Sequence, residues 1–145
     1  MEQQVKKILW IDDNVNRYSL MPYIDELNEK GFTIVKAENP DESDDILSKQ
    51  KDFLCIIVDI SMPLGEKIPF GEAKGGMQTG LVILKKLVED KALDNVKKIV
   101  FTIVDNAEVR EYCNSQTPKI RYLEKYRYFT DAFVDEIKTI INDGL

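Results

Sequence analysis

Asp12, Asp13, Asp59, Thr102 and Lys125 are the side chains whose types and positions could do chemistry together. Each stands at or near the end of an apolar run. Residues 5–11 run into Asp12-Asp13-Asn14, six apolar residues from Phe53 to Val58 stop at Asp59, residues 97–104 carry Thr102 near their end, and residues 120–125 close on Lys125. Three carboxylates brought together repel one another and call for a cation. With oxygen ligands and no His or Cys, the expected ion is Mg²⁺, which keeps several of its waters. A hydroxyl and an ammonium opposite those acids suit the oxygens of a phosphoryl group, and a carboxylate can act as nucleophile to give an acyl phosphate.

The elements that must position these groups follow from the apolar pattern. The run 53–59 is short for a helix and holds the β-branched Ile56, Ile57 and Val58, so it reads as a central parallel strand. Such strands are covered on both faces, and ligands bind beyond their carboxyl ends. Strands are likewise expected at 5–11, 32–37, 97–104 and 120–125. Between them lie helical patterns: Leu20, Ile24 and Leu27, stopped at Gly31 and either starting near Ser19 or kinked at Pro22; a segment opened by Asn39-Pro40-Asp41-Glu42 with Ile46 and Leu47 as anchors; residues 78–91 with Leu81, Leu84, Leu87 and Val88 on one face; a segment capped by Asp105-Asn106 with Val109, Tyr112 and Cys113, ended by Pro118; and a last helix opened by Thr130-Asp131 with Phe133, Ile137, Ile140 and Ile141 inward. Five β-α units in succession predict an α/β fold, a doubly wound parallel sheet with right-handed crossovers.

At 145 residues the chain is expected to be a single domain, 1–145. Its 26 acidic and 20 basic residues give a net charge of −6, which excludes a polyanion as the main partner, so no nucleic acid is expected. Two isolated cysteines do not make a disulfide framework, no apolar run reaches membrane-spanning length, and the first residues lack the pattern of a signal peptide. A soluble cytoplasmic protein without membrane partners is expected. The chain has no histidine, which removes Ser-His and Cys-His pairs, His-based metal sites and any phosphohistidine of its own.

With Asp12-Asp13, Asp59, Thr102 and Lys125 each at a strand end, the sequence resembles the receiver domains of bacterial two-component response regulators over essentially its whole length. The resemblance implies a flavodoxin-like (βα)5 receiver fold with strand order 2-1-3-4-5. It implies that Asp59 is the phosphoacceptor, Asp13 a direct Mg²⁺ ligand, and Asp12 a ligand mainly through water. Ser61 would offer its backbone carbonyl to the metal, and Thr102 and Lys125 would bind the phosphoryl oxygens. Tyr122 matches the aromatic that turns inward when the threonine is drawn toward phosphate. The implied function is phosphorelay signalling: a histidine kinase or phosphotransfer protein donates to Asp59, and a changed surface is read by a downstream protein target. Such a protein takes part in its own phosphorylation and dephosphorylation without being a turnover enzyme.

The sequence departs from that pattern in three places. Gly80 lies 17 residues after Pro63, so an insertion is expected at about 64–79, either a surface loop or a lid beside Asp59 with Ile68 and Phe70 as contacts. Its Gly75–Gly80 stretch lacks the Gly-Lys-Ser/Thr ending of a phosphate-binding loop. Tyr126 stands where the family has a proline joined to the lysine by a cis bond, which before tyrosine would cost about 2.5 to 4 kcal/mol. Ile103 replaces a small residue and is expected to narrow access to Asp59. Two other readings are open: a pseudo-receiver that binds without being phosphorylated, and an aspartate-nucleophile phosphatase of the haloacid-dehalogenase type using Asp12, against which Asn14 stands where a second acid belongs.

Overall fold

The apolar runs become five short strands in the computed structural model, which describes residues 5–66, 68–76 and 78–142. They are β1 (Lys6–Ile11), β2 (Phe32–Ala37), β3 (Cys55–Val58), β4 (Lys97–Thr102) and β5 (Arg121–Glu124). All pair in parallel, in the order β2-β1-β3-β4-β5. This is the expected doubly wound, flavodoxin-like arrangement. Register aligns one row across the sheet: Ala37, Ile11, Val58, Val100 and Tyr122 are successive partners. Residues just past that row therefore leave the sheet along one edge, and Asp12 and Asp59 are two of them.

Side chains of a strand alternate between faces, and both faces are buried here. Leu9, Ile11, Ile56, Val58 and Val100 meet one layer of helices; Ile8, Trp10, Cys55, Ile57, Ile99 and Phe101 meet the other. The first layer contains α3 (Thr79–Glu89) and α4 (Ala107–Ser115), through Leu81, Leu84, Leu87, Val109 and Cys113, and receives the half-buried Ile46 and Leu47 of α2 (Pro40–Lys49). The second holds α1 (Met21–Glu29) and α5 (Thr130–Asn142), through Ile24, Leu27, Phe133, Ile137 and Ile140. Among the described residues no helix is long and apolar enough to cross a membrane. Cys55 and Cys113 are buried free thiols.

Several boundaries move from the sequence pattern, each for a local reason. Helix α1 begins at Met21 with Pro22 in its first turn, where a missing N–H leaves no helical bond unmade. Helix α3 stops at Glu89 instead of reaching 91, because Asp90 turns extended and its carboxylate accepts the Ala92 N–H at 3.0 Å, capping a separate 3-10 turn. Strand β5 closes at Glu124, and Lys125 opens a 3-10 turn, Lys125–Arg127. The start of α2 is as its sequence requires, with Asn39 accepting the Glu42 N–H at 2.9 Å and acids in the first turn.

The stretch expected as an insertion contains a broken 3-10 segment, Phe70–Gly76, in which Lys74, Gly75 and Gly76 have positive φ. It is tied down at both flanks. The Glu66 N–H donates to Asp41 of α2 at 2.8 Å, while Lys74 (3.3 Å) and Gln78 (3.0 Å) donate to Glu108 of α4. Ile68 is buried. The Phe70 side chain, the other expected contact, lies outside the described residues, as do residues 67 and 77 of the stretch.

Candidate functional site

The aligned strand ends bring the predicted acids together. The Asp12 N–H continues the ladder to the Ala37 carbonyl and the Asp59 N–H to the Ile11 carbonyl, both at 2.9 Å. Their carboxylates are thus fixed just beyond β1 and β3. Asp12 and Asp59 are buried and Asp13 half-buried, and one carboxylate oxygen from each lies within 4.8 Å of the others.

Each buried carboxylate is held at two points. Asp12 accepts the Asn14 N–H at 2.8 Å, and Asp59 accepts the Ile60 N–H at 2.7 Å. Their remaining oxygens share the Lys125 ammonium, which lies 2.7 Å from Asp12 and 3.2 Å from Asp59. Burial pushes the Asp59 carboxyl above the usual carboxylate range, and the Asp12 charge pushes the same way; Lys125, the Thr102 hydroxyl and the Ile60 N–H pull it back without cancelling the rise. Burial would lower Lys125, but the Asp59 and Asp12 charges outweigh it and its ammonium is held above its ordinary value. One ammonium among three carboxylates leaves an excess of negative charge. The oxygen-only donor set and its spacing fit a small hard dication.

The remaining predicted residues take distinct places around this cluster. Thr102 ends β4, fully buried, and its hydroxyl accepts the Val104 N–H at 3.2 Å. Ser61 is exposed and lines, with Asp13, Asp59, Ile103, Lys125 and Tyr126, a cavity of about 590 Å³. Tyr122 does not reach that cavity. It sits half-buried behind the loop after β4, donating its hydroxyl to the Val104 carbonyl and accepting the Asn106 N–H at 3.4 Å.

Of the departures, Ile103 and Tyr126 both stand exposed at the cavity mouth. The only cis peptide bond among the described residues is Thr117–Pro118, so Lys125 joins Tyr126 in trans. Of three further groups near the site, Gly80 was marked in the sequence by its distance from Pro63, while Arg110 and Tyr23 had no clear signal. Gly80 brings the first turn of α3 onto the backbone following Asp59. Arg110 of α4 covers the Tyr122 ring at 4.3 Å and pairs with the buried Glu124 beside Lys125. Tyr23 of α1 reaches the turn after β5. The other legible hint was Glu124, an acid inside an otherwise buried strand end.

No protein-family model matches the chain, and no curated protein sequence matches it. Solved structures do. A response regulator from Thermotoga maritima superposes with a TM-score of 0.68 at 18% identity, over 97% of this chain and 100% of the other. The chemotaxis response regulator CheY4 of Vibrio cholerae gives 0.70 at 16% identity, over 94% and 99%. A response regulator from Desulfuromonas acetoxidans gives 0.70 at 18% identity, over 97% and 99%. Over its described residues, the chain has the fold of a response-regulator receiver domain.

Proposed function

We propose that this chain is a single receiver domain of two-component signalling, with an insertion at about 64–79, in which Asp59 accepts a phosphoryl group. The observation that carries this reading is the Lys125 ammonium bridging Asp12 and Asp59 beside Asp13, at the sheet edge where β4 ends in Thr102. Asp13, Asp59 and the Ser61 carbonyl, with Asp12 mainly through water, would hold a metal, Mg²⁺ by their choice of oxygen ligands, which would supply positive charge against the phosphoryl oxygens. An Asp59 carboxylate oxygen attacks phosphorus, the P–N bond to the donor imidazole breaks, and the electron pair leaves with the ring nitrogen. Lys125 and Thr102 donate hydrogen bonds to the oxygens of the transferred group.

The donor has to be another molecule, because this chain has no histidine. Exposed Tyr18, Ile103, Tyr126 and Phe129 favour a protein donor, a histidine kinase or phosphotransfer protein met in the cytoplasm. The switch follows from the bonds around Val104. Its N–H is held by Thr102 and its carbonyl by Tyr122. Drawing Thr102 toward a phosphoryl group therefore disturbs the hold on Tyr122 and, through it, the contacts of α4 and β5 that a downstream protein reads. The protein turns over no external substrate in this reading.

A second reading, a pseudo-receiver that binds partners without phosphorylation, draws on the exposed Ile103 and Tyr126 at the mouth and the trans bond after Lys125. Incubation with Mg²⁺ and a small labelled acyl phosphate separates the two. The proposed function predicts label that a chelator abolishes and that Asp59→Asn never acquires; absence of label from the wild-type chain supports the pseudo-receiver.

A further inference from the structure

The turn that carries Lys125 is held from across the molecule. Its own closing bond, from the Tyr128 N–H to the Lys125 carbonyl, is long at 3.4 Å. Tyr126 and Phe129 are exposed, and Arg127 is largely exposed in its ion pair with the buried Glu124. The half-buried Tyr128 ring packs on the layer of α1 and α5, which anchors a side chain and leaves the Tyr128 carbonyl to be placed. Tyr23 of α1, 105 residues away, donates its hydroxyl to the Tyr128 carbonyl at 2.7 Å. That donor is itself fixed, since its ring meets Phe101 and Phe133 edge-on with centroids 5.5 and 5.4 Å away. Phe101 in turn lies under the Lys125 ammonium at 6.0 Å and directly precedes Thr102.

We propose that Tyr23 is the positioning residue for Lys125: by pinning the Tyr128 carbonyl it keeps the lysine's turn, and so the ammonium, between Asp12 and Asp59. Lysine has four rotatable bonds, so its two ion pairs orient the head but do not fix where the backbone starts. The Tyr23 hydroxyl supplies that second constraint in a turn that has no proline. The proposal rests on the reading of Lys125 as a phosphoryl ligand only for its effect on rate.

Tyr23→Phe removes the hydroxyl and keeps the ring against Phe101 and Phe133, so the full chain should fold. Two readouts test it. The side-chain ¹⁵N ammonium resonance of Lys125, assigned by its loss in Lys125→Ala, should be sharp in wild type and broadened or lost in Tyr23→Phe. Phosphorylation of Asp59 by a small acyl phosphate should slow by about fivefold in Tyr23→Phe, the scale of one hydrogen bond. Adding Tyr23→Phe to Lys125→Ala should slow it no further. Retention of both the sharp resonance and the wild-type rate overturns the proposal, as does a rate loss that adds in full to that of Lys125→Ala. If no variant or wild type takes up phosphate, the phosphoacceptor reading fails while the ammonium resonance still decides the role of Tyr23.

Discussion

Gly80 lies against Asp59 with no room for a side chain. A Cβ at Gly80 would stand 2.0 Å from the Asp59 carbonyl oxygen and 2.6 Å from the Ile60 Cα, and the Gly80 N–H donates to the Ile60 carbonyl at 2.8 Å. The obstacle is backbone on both sides, so it cannot rotate away. Gly80→Ala must push α3 off the strand end or displace the acceptor. We predict a loss of about 1–3 kcal/mol in denaturant unfolding, the usual cost of overpacking, together with slower phosphorylation of Asp59. An unchanged unfolding midpoint would show that the contact is looser than described.

Asp59 also leaves a signature in the pH dependence of stability. Burial and the Asp12 charge raise its pKa in the folded state above the ordinary 3.8. The fold thus favours the protonated form, and the stability this provides is complete below the ordinary value and lost as pH rises through the raised one. Asp59→Asn has no such loss. With chelator present, the mutant should melt above the wild type at pH 7, the gap closing as pH falls toward the ordinary carboxylate range. Added Mg²⁺ should raise the wild-type melting temperature more than that of the mutant. A gap independent of pH would contradict the assignment.

Ile103 stands exposed at the cavity mouth beside Asp59 and Lys125. We propose that a branched side chain there restricts the approach of water to an acyl phosphate. Ile103→Ala should speed loss of the phosphoryl group by roughly threefold, less than 1 kcal/mol of barrier, as followed by release of phosphate from the labelled protein. Equal decay rates in the two proteins would remove Ile103 from the account of access.

Glu108 joins the insertion to α4 through Lys74 and Gln78. Lys74 and Glu108 are largely exposed, and such a pair contributes about 0–1 kcal/mol. Glu108→Ala should therefore leave global unfolding nearly unchanged. It should lower hydrogen-exchange protection within residues 68–76 while that of β3 and β4 stays at the wild-type level. Protection lost throughout the sheet would instead make the contact part of the core.

Much of this site was legible in the sequence because its residues stand where apolar runs stop. A run such as Cys55–Val58, short for a helix and rich in β-branched residues, reads as a strand covered on both faces, and the first polar residue after it then emerges at an edge. That logic located Asp12, Asp13, Asp59, Thr102 and Lys125 without knowledge of any contact. It could not reach groups whose meaning depends on tertiary approach. Gly80 stood out in the sequence by its distance from Pro63, but its contact with the Asp59 backbone emerges only when α3 is laid against that strand end. Tyr23 and Tyr128 lie 105 residues apart, and nothing in either segment marks a bond between a side chain and a distant carbonyl. Element ends also shifted, as at Asp90, where a side chain capping its own following turn outcompeted continuation of the helix.

The central claim is that Asp59 is the nucleophile. Reduction with borohydride converts an aspartyl phosphate to homoserine and so marks the acceptor permanently. After incubation with Mg²⁺ and a small acyl phosphate, peptide mass mapping should find homoserine at position 59 and nowhere else. Homoserine at position 12 or 13, or none in a protein shown to be folded, would contradict the account.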